Sequence, residues 1–418
     1  MDNLKHWLEE KLNALNGASP QKQVKGYTRL SYTKEEKAAH QAFISIATEL
    51  GLKTSQDEAG NQWAIWEVAA SLPTIAFGSH LDTVNQGGGY DGTAGVLCAL
   101  AAVKQVMDKN ILPKRNIAII CFASEESARF GISTIGSKAI TGRFSIDEYA
   151  EIKDVHGITL PEAIKQFGLD WERVPQAEIP RNRLESFVEL HIEQRMELET
   201  KELDIGIVHG IACPVRLQIK AKGMANHTGT TPMENRQDAL VALAPLIAYV
   251  EQQAMQLNRT SKHPIVATVS TVKVTPNAMN VIPGKVEMGI DIRSVDDEKK
   301  RKLASMIASF CKELASERNI SIEVHPFVDT DSVLLDYHMQ QELSDICTEL
   351  GLRHCTMNSG AGHDVMNMAA KWPSGLIFIP CKDGISHHPQ EYASISALAN
   401  GTQVLARFIE RAGDKDEN

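Results

Sequence analysis

Short apolar runs of strand length alternate with longer amphipathic stretches along most of the chain. Thr74–Phe77, Asn116–Phe122, Phe187–Leu190, Ile205–Val208 and Leu376–Ile379 read as buried strands. Between them, stretches such as Gly92–Lys109 place Leu97, Leu100, Ala101 and Val106 at helical spacing, and Gly157–Phe167 reads as a short helix. This alternation predicts an α/β fold with a mainly parallel sheet flanked by helices. From about Ile211 the texture changes. Val215–Ile219, Ile265–Val274, Lys285–Arg293 and Ile320–Val324 read as strands, Asp238–Leu257 and Asp296–Arg318 as helices, with a turn-rich link from Asn277 to Gly284. The order β-α-β-β-α-β is ferredoxin-like. Residues 211–328 are therefore expected to form a small α+β domain inserted into a larger α/β domain of residues 1–210 and 329–418. Helices at His338–Leu350 and Ser394–Arg411 complete the larger domain, and the polar tail Gly413–Asn418 is expected to fray.

Composition narrows the class. The 418 residues carry a net charge of −10 without a basic block, a poor match to nucleic acid or an anionic membrane. No apolar run approaches the roughly 20 residues of a membrane span. Met1–Gly17 lacks the basic start and apolar core of a signal peptide. Seven scattered cysteines form no CxxC pair, which fits free thiols in a reducing cytoplasm.

Candidate chemistry gathers after the strands. Gly78-Ser79-His80-Leu81-Asp82 follows one of them; His80 and Asp82, two apart, share a face on extended chain. The glycine-rich loop Gln86–Gly92 delivers Asp91 to the head of a helix, where it would serve equally as an N-cap. Glu125 and Glu126 follow a second strand, a position that also suits a solvated helix start. His191 and His387 follow two more. Each is weak alone. Together, His80, Asp91, Glu126, His191 and His387 are all N/O ligand types beyond the strand ends of one sheet, where ligands collect in open α/β folds. Such a set suits Zn²⁺ or Mn²⁺ and, lacking cysteine, disfavours a structural thiolate zinc.

The order and spacing of GSHLDT, GGGYDG, EES, ELHIEQ and GISHHP resemble the M20 metallopeptidase clan. More narrowly, the chain resembles the amidase branch of allantoate amidohydrolase, N-carbamoyl-L-amino acid hydrolase and β-ureidopropionase. NHTGTTPM (Asn226–Met233), NAMNVIPG (Asn277–Gly284), DIRS (Asp291–Ser294) and SGAGHD (Ser359–Asp364) support the likeness, which runs from about Thr28 to Phe408. The resemblance implies a two-metal catalytic domain and a lid domain that also forms a homodimer. His80 and His191 would hold one metal, Glu126 and His387 the other, with Asp91 between them and Asp82 orienting His80. Glu125 would take a proton from the attacking water and pass it to the leaving nitrogen. His227, from the partner subunit in the family, would stabilise the oxyanion. Gln194, Asn280 and Arg293 would bind substrate, Arg293 gripping its carboxylate. Gly360 and Gly362 would admit the ligand close to the backbone, and His363 would line the pocket. Arg195, Thr228 and Ser127 depart from the commoner pattern; none is a ligand, and Arg195 bears on the pocket's outer wall.

The first reading is a metal-dependent amidohydrolase cleaving a linear ureido C–N bond in allantoate or an N-carbamoyl-L-amino acid, with release of ammonia and carbon dioxide. A dipeptidase or aminoacylase of the same clan is the alternative; His191 argues against it, because Asp or Glu is more common there. An inactive metal-binding scaffold is a third, opposed by the intact Glu125 and the full ligand set.

Overall fold

The computed structural model describes residues 2–18 and 25–412; the tail from Gly413 lies outside them. The chain forms two compact units, one of Met1–His209, Leu335–Met357 and Gly362–Asn418, the other of Gly210–Leu334 and Asn358–Ala361.

In the first unit the sheet runs Lys53–Gln56, Gln62–Trp66, Asn116–Phe122, Thr74–His80, Ser186–Ile192, Ser374–Ile379, Ile205–Ile211. The four strands from Asn116–Phe122 to Ser374–Ile379 are mutually parallel, and their outer neighbours join antiparallel. Alternate side chains divide between the faces. Ile75, Phe77, Ile117, Ile119, Val188, Leu190, Ile377 and Ile379 join the main core with the helices Asp2–Gly17, Lys34–Glu49, Thr93–Asp108, Tyr337–Glu349 and Ile395–Arg411. A smaller core under Leu160–Phe167 gathers Ala123, Ile135, Ile164 and Phe167. That helix starts at a capping box between Thr159 and Glu162, three residues later than expected.

Thr93–Asp108 is apolar almost all round, as suits a helix buried between a sheet and other helices. Gly95 lets it approach. A Cβ there would lie 2.2 Å from the Leu190 carbonyl oxygen and 2.7 Å from Ser79 Cβ, so any side chain would push the helix off the sheet. Helices Asp2–Gly17 and Lys34–Glu49 and the hairpin Lys53–Gln56/Gln62–Trp66 lie outside the expected elements, although Leu8, Leu12 and Leu15 recur at helical spacing on the first helix and Ala39, Phe43 and Ile46 on the second. KTSQ is exposed throughout and has no apolar alternation to mark it.

The second unit is a four-stranded antiparallel sheet in the order Ser321–Asp329, Pro214–Lys222, Lys285–Arg293, Val266–Thr275. With the chain order β-α-β-β-α-β, this is the ferredoxin-like arrangement. Helices Ala239–Asn258 and Asp297–Arg318 are N-capped by Asp238 and Asp296. Leu243, Leu246, Leu303 and Ile307 on them pack against Leu217, Ile219, Met288 and Ile290. Arg216, Asp291 and Arg293 alternate with these buried positions and come out on the other face of the sheet.

Candidate metal centre

Strand register brings the two principal histidines together. Thr74–His80 and Ser186–Ile192 run parallel with Gly78 opposite Glu189. Two residues on, His80 and His191 stand side by side on one face, their rings stacked 5.9 Å apart. Both lie within their strands rather than past them, because the pairing continues beyond the apolar run. Each ring is buried, and each Nδ1 meets a backbone carbonyl: Asp82 O at 3.1 Å for His80, Ile192 O at 2.9 Å for His191. The Nε2 atoms then face Asp91 Oδ1, at 3.4 Å and 3.0 Å.

Asp91 does not cap the helix. The N-cap is Gly92 without a side-chain bond, and the Asp91 carboxylate turns to the imidazoles instead. Its Oδ2 lies 3.2 Å from His387 Nε2 and accepts hydrogen bonds from Gln194 Nε2 at 2.8 Å and Ser386 Oγ at 2.9 Å. His387 Nε2 is also 3.3 Å from Glu126 Oε1, a buried oxygen with no hydrogen-bond partner. Among the described residues, His80, Asp91 and His191 form one group of ligand-type atoms within 4.8 Å of one another, and Asp91, Glu126 and His387 form a second.

Glu125 and Glu126 are not a solvated helix start: they are only 8% and 7% exposed. Asp82, fully buried, accepts the N–H of Glu125 on one oxygen (3.0 Å) and that of Glu126 on the other (2.9 Å). Glu36, also fully buried, accepts the N–H of Ser124. Two carboxylates thus hold three successive amides of the turn. Glu125 Oε2 lies 3.8 Å from His80 Nε2.

The electrostatics are those of a cation site. Burial raises Glu125 well above the usual carboxylate range, with Glu126 adding to it against the opposing pull of His80. Burial, then Asp91, lifts Glu126 to about 7. Burial would raise Asp91 too, but His191, His387 and His80 outweigh it and hold it well below. The bond to Asp91 takes His387 to about 9. Buried carboxylates neutralised by imidazoles, with one carboxylate oxygen unsatisfied, fit a bound divalent cation.

Three residues that are not glycine take left-handed backbone at this site: Ser124 (φ 55°), Gln194 (φ 58°) and His387 (φ 55°). Each costs roughly 1–3 kcal/mol, and such strain concentrates where side chains must be aimed.

The other expected residues fall into two sets. Gln194 sits among the ligands, donating to Asp91 and to Ser386, with Oε1 buried and unpartnered. His363 packs edge-on against His191 at 4.5 Å and is 2% exposed, so it is a wall behind the ligand; Gly362 precedes it. In the second unit, His227 and Asn280 are both exposed and adjacent: His227 bridges to Val281, and Thr228 N–H reaches Asn280 O at 3.2 Å. Arg293 donates to Asp291 at 2.8 Å and to Gly360 O at 2.9 Å. Ser386, Glu391 and Glu36 were not foreseen. Ser386 and Glu391 lie within GISHHPQE, beside a ligand already singled out; Glu36 lies far from the site in sequence and carried no signal.

The chain belongs to peptidase family M20/M25/M40, a family of metal-dependent hydrolases, which it matches over residues 76–411. It is 36% identical over 385 residues to an N-carbamoyl-L-amino acid amidohydrolase of Geobacillus stearothermophilus, covering 92% of this chain and 93% of that one. It is 33% identical over 405 residues to the allantoate amidohydrolase of Escherichia coli K12, covering 96% of each. A crystal structure of a hydantoinase/carbamoylase-family amidase from Burkholderia multivorans aligns with a TM-score of 0.88 at 28% identity, covering 98% of this chain and 97% of that one.

Proposed function

We propose that this protein is a metal-dependent amidohydrolase that cleaves the C–N bond of a linear ureido compound, allantoate or an N-carbamoyl-L-amino acid, releasing ammonia and carbon dioxide. The observation that carries the reading is the pair of ligand groups sharing Asp91, with Glu125 beside them. His80, Asp91 and His191 would hold one Zn²⁺ or Mn²⁺ ion, and Asp91, Glu126 and His387 a second. Bound there, the ions would supply Lewis acidity at the carbonyl and acidify water at neutral pH.

The protein's own groups do the rest. Glu125, its proton affinity raised by burial, takes the proton of the attacking water and returns it to the departing nitrogen. Asp82 keeps the Glu125–Glu126 turn and the His80 ring in register. Gln194 Oε1 is a free acceptor for a ureido N–H. Arg293, aligned by Asp291, offers its guanidinium to the substrate carboxylate. His227 donates to the developing oxyanion. These last two lie on the ferredoxin-like unit, which we assign as a lid and homodimerisation domain of residues 211–328. No helix of the described residues is long and apolar enough to cross a membrane, and the seven cysteines are unpaired. We assign the protein to the cytoplasm.

The test is ammonia release by Mn²⁺-loaded protein against allantoate, N-carbamoyl-L-amino acids, β-ureidopropionate, ureidoglycolate and dipeptides, with Glu125→Gln as control. Turnover of one ureido compound, lost in the control, is expected. Cleavage of dipeptides alone would overturn the substrate class, and a metal-loaded protein inert on the whole panel would overturn the ureido reading.

A further inference from the structure

Glu391 lies four residues beyond His387, is 4% exposed, and has no part in the chemistry described above. Its carboxylate joins two loops some 300 residues apart. Oε1 accepts the N–H groups of Tyr90 and Asp91, both at 2.9 Å. Oε2 lies 2.9 Å from Ser386 Oγ and accepts the His387 N–H at 3.3 Å. Each oxygen thus grips the backbone of one ligand-bearing residue. Tyr90 and Tyr392 pack edge-to-face at 5.6 Å alongside.

The glycine loop is shaped around this carboxylate. A Cβ on Gly88 would lie 2.3 Å from both Cβ and Oε1 of Glu391. Ser386 Oγ stands 2.9 Å from Glu391 Oε2 and 2.9 Å from Asp91 Oδ2, and it accepts from Gln194 at 3.1 Å. Its single proton goes to one carboxylate at a time, so Ser386 couples Glu391 directly to Asp91.

We propose that Glu391 is a positioning residue that sets the separation of Asp91 and His387, and through it the affinity of the Asp91–Glu126–His387 site for a divalent cation. This rests on reading the two clusters as metal sites. His80 and His191 are fixed by their own strands and do not depend on the clasp. The effect should therefore be unequal between the sites.

The test is calorimetric titration of metal-stripped, full-length protein with Mn²⁺, comparing wild type with Glu391→Gln. Glutamine keeps one carbonyl oxygen for Tyr90 and Asp91 but presents an NH₂ group to the His387 N–H, releasing that loop. Two binding events are expected in the wild type. In Glu391→Gln one dissociation constant should rise about 10–100-fold, the usual range for partners that orient metal ligands, and the other by less than about threefold. Ser386→Ala, which removes one arm of the same clasp, should move the same constant in the same direction. If both constants stay within threefold of wild type in Glu391→Gln, the proposal fails while the metal-site reading stands. A wild type that takes up no Mn²⁺ overturns the reading beneath it and the proposal with it. Metal-free Glu391→Gln melting well below metal-free wild type would mark a general structural role and overturn the proposal too.

Discussion

His80 Nδ1 lies 3.3 Å from Oδ1 of Asp82 and 3.1 Å from the Asp82 carbonyl oxygen. Both neighbours are acceptors, so Nδ1 carries a proton and Nε2, on the Asp91 side, is the atom left to ligate a cation. The same Asp82 carboxylate holds the amides of Glu125 and Glu126. Asp82→Asn presents an NH₂ group to one of those N–H donors. It should weaken divalent-cation binding about 10–100-fold and lower turnover together, read by metal content after dialysis and by ammonia release.

Glu125 contacts the site without belonging to either ligand group. Glu125→Gln should lower turnover by about 10²–10⁴-fold, the span of general acid–base catalysis, while metal stoichiometry stays at the wild-type value. Loss of metal in parallel with activity would make Glu125 a ligand instead.

Arg293 donates through Nε and Nη2 to Asp291 and through Nη1 to the Gly360 carbonyl, so the remaining Nη1 and Nη2 hydrogens are the ones left for the proposed substrate carboxylate. Arg293→Lys keeps the charge and loses the guanidinium fork. The expected result is a KM raised about 10–100-fold for substrates bearing a carboxylate, with a smaller effect on kcat, checked by steady-state kinetics against an uncharged ureido analogue.

His40 is buried behind the site, its Nε2 3.9 Å from Oε1 of Glu36, and neither ring nitrogen has a hydrogen-bond partner. Burial lowers its pKa to about 4, against an unfolded value near 6.5. The unfolded chain therefore binds the extra proton first as pH falls. The stability due to neutral His40 is complete above pH 6.5 and lost between 6.5 and about 4, amounting to roughly 3 kcal/mol at the acid end. His40→Leu should flatten that part of the stability–pH curve, measured by urea unfolding at pH 7 and pH 5.

Much of the fold was legible because apolar strands are long and bounded. Asn116–Phe122 and Lys285–Arg293 have the bounds expected of them, and the capping aspartates 238 and 296 mark their helices to within a residue. Thr74–His80 and Ser186–Ile192 run past their apolar runs because parallel pairing is a backbone matter, which carries polar His80 and His191 into the sheet. The site residues were readable as types at strand ends, since hydrophobicity marks where a strand stops. What links them was not. Whether Asp91 caps a helix or meets three imidazoles depends on chain segments about 100 and 300 residues away, and Glu391 answers to Tyr90 in the same manner.

The close seating of Gly95 on Ser79 and Leu190 has a further consequence. The helix that begins beside Asp91 and the strands that carry His80 and His191 cannot separate without breaking the centre of the core. Local fluctuation therefore has no route to the amide hydrogens of Phe77–Ser79 and Val188–Leu190. In deuterium exchange they should be released only at the rate of global unfolding, while the exposed Lys53–Gln56 strand exchanges early.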